Sequence, residues 1–294
     1  MAKFNEDTLN NWRYPPSDVE ESKLANSLKL VKEAICEDPV LAKKNIEVFA
    51  QGSYANDTNV RLNSDIDINV RLGDTVYYEV PVGATKEQYG YRDSTYTFAE
   101  YKESVVQALI RKFGKDNIVR NDKCITVKES LTRVTTDVVP TLKFNRHKVN
   151  GVDVGAKFIT DKNIPVACFP LQHIENGKQK NALTQKRFKR TTRLFRKLRY
   201  KMIEDQVQVS KNITSFLLEC LVWHVPDTVF NDNNTWTERL KNAIIYLYNK
   251  TTANGDCNNW TEVSGQLYLF DQTRKWTKEE VNQYLVQMWN YLEF

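Results

Sequence analysis

The first half of the chain begins with a predicted helix, in which apolar residues recur at helical spacing. Ser17 and Glu20 have the spacing of a capping box, in which the two residues cap each other's backbone N–H at the start of a helix. The helix that follows carries apolar residues three or four positions apart, at Leu24, Leu28, Val31 and Ile35. A second helix is predicted for Tyr96–Phe113, ending at Gly114.

Short runs rich in β-branched residues predict strands around these helices. The predicted strands are Ile46–Gln51, Asp65–Leu72, Asn117–Arg120, Ile125–Lys128 and Arg133–Val139. Asn150-Gly151 predicts a hairpin turn between strands Leu142–Lys148 and Val152–Ile159. Residues 73–94 mix Gly, Pro, Thr and Tyr, and we expect them to form a loop insertion.

The second half of the chain is mostly helical in pattern from Leu183 onward. Capping-box spacing recurs at Thr235 and Thr277, and Asn254-Gly255 predicts a turn between helices. A mixed half followed by a helical half indicates an α+β protein. We expect one lobe at residues 1–170 and a helical lobe at residues 171–294, with the N-terminal helix packing on both.

Composition narrows the class of protein. The 294 residues are 41% hydrophobic and 27% charged, with a net charge of +5, as in ordinary globular proteins. No apolar run is long enough to span a membrane, no signal-peptide pattern opens the chain, and the five cysteines form no C-x-x-C pair. We therefore expect a cytoplasmic protein with reduced thiols. The sequence has no P-loop, Rossmann or H-E-x-x-H motif.

Two carboxylates stand out within this pattern. Asp65 and Asp67 are alternate residues of a predicted strand, so they point to the same face. They follow the turn that begins at Gly52-Ser53, and paired carboxylates near such a turn can hold Mg²⁺ and the triphosphate that it carries. The simpler interpretation of an isolated D-x-D is a solvated surface pair or a helix cap.

The string G-S-x11-D-I-D, which runs from Gly52 to Asp67, resembles the signature of DNA polymerase β-type nucleotidyltransferases. Thr58 and the run Ser64–Ile68 more narrowly resemble bacterial cGAS/DncV-like nucleotidyltransferases. This resemblance implies a polymerase β-like core, with a mixed sheet and helices, followed by a mostly helical C-terminal lobe. Asp137 matches the third acid of the family; without the other two, it would be interpreted as a charge at a strand edge.

The resemblance also implies the chemistry of the acidic residues. Asp65, Asp67 and Asp137 would be the catalytic acids and would hold two Mg²⁺ ions, for which Mn²⁺ can substitute. Gln51, Gly52, Ser53 and the nearby backbone amides would contact the nucleotide phosphates, since a glycine lets the backbone approach closely.

A dense basic segment, with nine Lys or Arg, runs from Lys186 to Lys201. Apolar and small residues at helical spacing predict one core-facing side, made of Phe188, Thr191, Phe195, Leu198 and Met202. The polar residues Arg190, Arg193, Lys197 and Tyr200 are expected together on the surface. The segment resembles the family helix ending in R-x-x-K, which implies phosphate contacts from Arg193, Arg196 or Lys197. Such a charge run is otherwise interpreted as a solvated helix face.

Three further positions match family residues near the nucleotide. Ser215 would lie near the triphosphate, or else would cap a helix. Asn176 would read a base edge through its amide, or else would serve a turn, whereas His173 before it is expected to be structural. Tyr268 would stack on a base, or else would belong to the core. The segments Tyr268–Phe270 and Trp276-Thr277 resemble those of clade E enzymes, which implies uridine among the product's bases.

We therefore predict a nucleotidyltransferase that joins NTPs, ATP and UTP among them, into a cyclic dinucleotide or oligonucleotide second messenger and releases pyrophosphate. By resemblance, it would serve in anti-phage defence through a separate effector protein. We expect a monomer that needs neither nucleic acid nor a membrane, because no second basic cluster is present for a polymer. The alternatives are nucleotidyl transfer to RNA, a protein or a small molecule, and a catalytically silent nucleic-acid-binding module.

Overall fold

The computed structural model describes residues 2–61 and 65–294. Ser64, which belongs to the motif run of the sequence analysis, lies outside the described residues. The chain divides into two compact units. We call residues 17–54 and 65–170 the sheet unit, and residues 2–16, 55–61 and 171–294 the helical unit.

This division differs from a single cut at residue 170. The chain changes unit at Pro170/Leu171, and two earlier segments also belong to the helical unit. The reason is apolar burial, since Leu9 is part of that unit's core and Val60 is only 2% exposed.

The sheet unit contains all seven strands of the described residues. They are β1 (Ile46–Gln51), β2 (Ile66–Glu79), β3 (Ile118–Arg120), β4 (Ile125–Val127), β5 (Thr136–Lys148), β6 (Gly151–Ile159) and β7 (Pro165–Cys168). The order is β1-β2-β5-β4-β3, while β6 pairs with another part of β5 and β7 pairs with β6. Only β2 and β5 are parallel, which gives the mixed sheet that was predicted.

Two strands are longer than the sequence predicted. β2 continues past Leu72 to Glu79 through an irregularity in its pairing with β5, so the first part of the expected loop 73–94 is strand. The β-forming run Val76–Tyr78 explains this extension. β5 joins two predicted strands through Pro140, which lies where pairing along one edge passes from β4 to β6. A proline is tolerated at such an interruption.

Helices cover one face of this sheet. The helices of the sheet unit are α2 (Asp18–Cys36), the short α3 (Gly52–Ala55) and α4 (Phe98–Phe113). Alternate residues of β2 from Ile66 to Leu72 are fully buried in a core with α2 and α4. The intervening residues Asp67, Asn69 and Arg71 therefore lie on the opposite face, where the polar chemistry of this unit is gathered.

The helical unit packs around the predicted basic helix. Its helices are α1 (Glu6–Trp12), α5 (Pro170–Leu183), α6 (Arg187–Glu204), α7 (Ser215–Trp223), α8 (Asp227–Asn231), α9 (Trp236–Thr251) and α10 (Lys278–Leu292). The five residues predicted for the core-facing side of α6 are all fully buried. The capping boxes predicted at Ser17, Thr235 and Thr277 are all present. No helix within the described ranges is long and apolar enough to cross a membrane.

Candidate active site

Strand pairing places two of the predicted acids side by side. Asp67 on β2 is the register partner of Asp137 on the parallel strand β5. Neighbouring strands lie about 4.8 Å apart, and paired residues point to the same face. Asp65 lies just before β2, and its pKa is raised by burial and by the negative charges of Asp137 and Glu129. The three acids therefore gather at one end of the polar face.

Glu129 is an acid that the sequence analysis did not identify. It lies in the loop after β4, and its charge acts on Asp65. No strand pattern or family motif marks it, so the only available signal was its position shortly before the strand that carries Asp137.

A short polar relay holds Asp137. The hydroxyl of Thr126, its register partner on β4, donates to Asp137 Oδ1. The Asn121 Nδ2 group donates in turn to Thr126 Oγ1 across 2.8 Å. Burial and the Asp137 charge raise the pKa of the nearby Cys124 thiol to about 11, so this cysteine remains protonated at neutral pH.

Gly52 brings the backbone against the acidic row. Its φ of +64° lies in the left-handed region, and a Cβ built on it would be 2.2 Å from Asp67 Oδ2. The backbone thus approaches the carboxylate more closely than any residue with a side chain allows. Ser53 follows in the short helix α3, where the sequence predicted only a turn.

Polar side chains on the same face of the sheet hold the side chain of Gln51 in orientation. Its Oε1 atom accepts a hydrogen bond from Asn69 Nδ2 at 2.9 Å, and Asn69 Oδ1 accepts from Thr141 Oγ1 at 2.7 Å. Gln51 is also the register partner of Asp67. The polar alternation along β2 was the sequence signal for Asn69, but it did not show that this residue holds Gln51.

The acids have the chemistry of a magnesium site, although they do not converge as a ligand set. Within residues 2–61 and 65–294, no group of three or more His, Cys, Asp or Glu side chains is placed to hold a metal ion. Asp137 is turned toward Thr126 instead. The donors nevertheless fit, because Mg²⁺ prefers carboxylate oxygens. Burial, and then the negative charges of Asp137 and Glu129, raise the pKa of Asp65, and a cation would offset those charges.

The predicted phosphate ligands on α6 differ sharply in burial. Arg193 is only 4% exposed and donates to the carbonyl oxygens of Asp57 at 2.7 Å and Arg13 at 3.1 Å, as well as to the Asp57 carboxylate. The expectation of a surface position for Arg193 is therefore wrong. Helical periodicity could not show it, because the partners of this guanidinium lie far away in the sequence.

Arg196 is also buried, whereas Lys197 is not. Arg196 Nη1 lies 3.4 Å from Thr58 Oγ1. Lys197 is half-buried and lines a cavity of about 450 Å³ together with Arg61 and Tyr14. Of the three predicted phosphate ligands, Lys197 is therefore the residue most accessible to an anion in solution.

Ser215 is not the N-cap of its helix. Thr214 occupies the N-cap position, where its side chain accepts from the Leu217 backbone N–H, and Ser215 is the first helical residue. The Ser215 hydroxyl oxygen lies 3.3 Å from the Tyr200 hydroxyl oxygen. The capping alternative is thus wrong, and the predicted nucleotide role stays a prediction.

The predicted base-reading residues also lie in the helical unit. Asn176 is on α5 rather than in a turn, and its Nδ2 group donates to the Val263 carbonyl at 2.7 Å. Tyr268 is 58% exposed, so the core alternative is wrong. Arg274 donates to the Tyr268 carbonyl from both Nε and Nη2, at 3.0 and 2.7 Å. His173 is buried and bonded to Glu219, as a structural residue should be.

Known protein families match the sequence of both units. The nucleotidyltransferase domain family matches residues 28–160, and the family of cGAS/DncV-like nucleotidyltransferase C-terminal helical domains matches residues 175–293. The chain is 58% identical to a cyclic dipyrimidine nucleotide synthase CdnE of Cecembia lonarensis, with 100% of both chains covered. It is 34% identical to a synthase of the same name from Legionella pneumophila, with 98% of each covered.

A solved structure extends the comparison to the fold. The Elizabethkingia meningoseptica CdnE cyclic dinucleotide synthase, determined with GTP and Apcpp, matches with a TM-score of 0.83 at 32% identity. The match covers 99% of this chain and 100% of that one. This similarity extends through both units and includes the polymerase β-like sheet that carries the acids. The chain therefore belongs to the cGAS/DncV-like nucleotidyltransferases.

Proposed function

We propose that this enzyme joins two pyrimidine nucleoside triphosphates, with UTP as the preferred substrate, into a cyclic dinucleotide that acts as a second messenger. The observation that carries the chemistry is the row of Asp67 and Asp137 on adjacent parallel strands, with the Gly52 backbone against it. The choice of base is supported by the similarity to two synthases named for dipyrimidine products, one of them identical at 58% of positions.

Asp65, Asp67 and Asp137 would hold two divalent cations, Mg²⁺ or Mn²⁺. When bound, such ions neutralise phosphate charge and lower the pKa of an attacking hydroxyl. Asp137 is the best candidate to accept the proton of that hydroxyl, because the Thr126 hydroxyl fixes its carboxylate in orientation.

The protein's own polar groups would bind the phosphates. The backbone amides around Gly52 and Ser53 can approach the phosphate oxygens because no Cβ intervenes at Gly52. In the helical unit, Lys197 and Ser215 carry the donors proposed to bind phosphate. Arg193 and Arg196 would stabilise the helix that carries Lys197 rather than contact the phosphates directly, since their side chains are buried.

Base selection would rest on Asn176 and Tyr268. The bond from Asn176 Nδ2 to Val263 leaves Oδ1 as the acceptor for the N–H edge of a uracil. The exposed ring of Tyr268 offers a stacking platform, and the two bonds from Arg274 hold its backbone in place. Both residues are half-buried or exposed, as contact with a substrate requires.

We further propose that the enzyme works as a monomer, without nucleic acid, and that a separate effector protein responds to the product. The burial of Lys189, Arg193 and Arg196 supports independence from nucleic acid, because it withdraws three of the cations of α6 from any polymer backbone.

The test is incubation of the purified protein with all four labelled NTPs and Mg²⁺ or Mn²⁺, followed by phosphatase treatment and mass spectrometry. We expect a phosphatase-resistant cyclic dipyrimidine, and no large stimulation by added duplex DNA or RNA. A nucleotidyl group found on RNA, protein or a small molecule would support the alternative acceptors instead.

The matched variants are Asp65→Asn/Asp67→Asn and, as a control with the same charge change, Asp93→Asn/Asp116→Asn at exposed positions. The first pair should abolish product, and the control should not. Because the first pair removes repulsion between close carboxylates, its thermal midpoint in metal-free buffer should equal or exceed that of the parent. Full activity in Asp65→Asn/Asp67→Asn would refute the metal assignment.

A further inference from the structure

A buried carboxylate in the helical unit joins three separate segments of the chain. Glu219 on α7 is 3% exposed. Its Oε1 atom lies 3.0 Å from His173 Nε2 on α5, and its Oε2 atom accepts from the Thr58 hydroxyl at 2.7 Å. His173 and Thr58 are themselves buried, so both carboxylate oxygens are satisfied inside the protein.

The energetics of this network favour one arrangement. Burial acts to raise the pKa of Glu219, but the hydrogen bonds from His173 and Thr58, with the charges of His173 and Arg196, hold it below its usual range. An ionised carboxylate can only accept hydrogen bonds, so His173 must donate from Nε2. Breaking either bond would leave part of a buried charge unpaired, which is strongly unfavourable.

Each helix that the network joins carries a residue proposed to contact the nucleotide. Asn176 lies one turn after His173 on α5, and Ser215 lies one turn before Glu219 on α7. Residues three or four positions apart lie on the same face of a helix. The carboxylate thus ties the proposed base-reading side chain to the proposed phosphate-binding hydroxyl.

We propose that Glu219 is a positioning residue, which acts with His173 and Thr58 to hold α5 and α7 in the relative placement that base selection requires. This inference rests on the proposed function, in which those helices carry Asn176 and Ser215. Displacements on the order of 1 Å at a binding group are enough to change rates by about two orders of magnitude. Loss of the network should therefore alter which base is incorporated, as well as how fast.

The mildest test removes one hydroxyl. Thr58→Val is nearly isosteric and takes away the donor to Glu219, whereas Thr58→Ser keeps it. Thr191→Val is the matched control, because Thr191 is also fully buried and its hydroxyl has no hydrogen-bond partner within the described residues. We expect Thr58→Val to lower the ratio of uridine to adenosine incorporation roughly tenfold. Thr58→Ser and Thr191→Val should keep the parent ratio.

A double variant separates positioning from stability. Glu219→Met/His173→Phe replaces both members of this buried polar pair with apolar groups, and such replacements are often neutral or stabilising. We expect a thermal midpoint near that of the parent, together with a raised KM for UTP and a lost base preference. If a purely structural role were correct, the double variant would recover the parent's base ratio along with its stability, and this result would overturn the inference.

A binding measurement makes the test independent of turnover. The affinities of non-hydrolysable UTP and ATP analogues are measured by calorimetry for the parent, Thr58→Val and the double variant. A parent that binds UTP but forms no cyclic product would refute the proposed function, while a changed affinity ratio in the variants would still support positioning. An unchanged ratio in both variants would overturn it.

Discussion

Replacing Gly52 with alanine tests whether the close approach of backbone and acid matters for activity. Gly52 has a φ of +64°, and an added Cβ would meet Asp67 Oδ2 at 2.2 Å, Cγ at 3.1 Å and Cβ at 3.4 Å. The left-handed conformation alone costs an alanine about 1–2 kcal/mol. To reach ordinary contact of about 3.5 Å, the carboxylate oxygen must move by more than about 1 Å.

The magnitudes separate a stability effect from an activity effect. Turning Asp67 off its rotamer adds about 1 kcal/mol, so Gly52→Ala should lose about 2–3 kcal/mol of unfolding free energy. Activity should fall further, by about 10²-fold, because the displaced carboxylate is one of the proposed metal ligands. Gly90→Ala is the matched control, since Gly90 has a φ of +76° and, apart from its chain neighbours, no atom of the described residues lies within 4 Å of an added Cβ.

Two assays complete the comparison. Urea unfolding followed by tryptophan fluorescence gives the free energies, and pyrophosphate release gives the rates. Gly90→Ala should lose about 1–2 kcal/mol and keep its activity. If Gly52→Ala loses no more stability than Gly90→Ala and keeps its rate within a few-fold, the close approach of Gly52 to Asp67 does not contribute to activity. That result would refute the prediction.

Two further predictions concern the helical unit. The His224 imidazole donates to the Thr261 carbonyl at 2.7 Å, and burial lowers its pKa from 6.5 to about 4. As the pH is lowered, the imidazole is protonated first in the unfolded chain, where its pKa is about 6.5. The free energy of unfolding should therefore decrease as the pH falls from 6.5 to 4, by at most about 3 kcal/mol. His224→Gln should flatten that urea-unfolding profile, and an unchanged slope would contradict the assignment. Arg193→Met should cost about 2 kcal/mol of unfolding free energy, because it removes a buried guanidinium together with its hydrogen bonds to Asp57 and Arg13. Lys197→Met should change stability by less than about 0.5 kcal/mol and raise the KM for UTP. Equal effects of the two variants on unfolding would contradict this division of roles.

Local sequence patterns predicted the elements that local rules determine. The capping boxes at Ser17, Thr235 and Thr277 all form, because each depends on two residues of the same turn. The acids Asp67 and Asp137 could be paired in advance only through family resemblance. Nothing in the spacing of two strands so far apart shows that they are parallel neighbours in register.

Two failures of the sequence analysis share a physical cause, which is contact between residues distant in the chain. Periodicity placed Arg193 on a polar face of α6, but it could not reveal that the Arg193 guanidinium would be buried and bonded to Asp57. It likewise could not show that Thr58 and His173 would bond to Glu219, the only charged residue of α7. A charged residue within an apolar run is the one signal that could have pointed to this network.

The basic helix shows why a count of charges is a poor guide to a binding partner. Nine Lys or Arg from Lys186 to Lys201 suggest a surface for phosphate. Three of them, Lys189, Arg193 and Arg196, are at most 7% exposed. Burial lowers the pKa of Lys189, partly offset by the charges of Asp57 and Glu219. Cations that are enclosed and balanced in this way release few counterions from a polymer, so they add little to its affinity. Three of the nine positive charges of this segment are thus enclosed within the helical unit, where a polymer backbone cannot reach them.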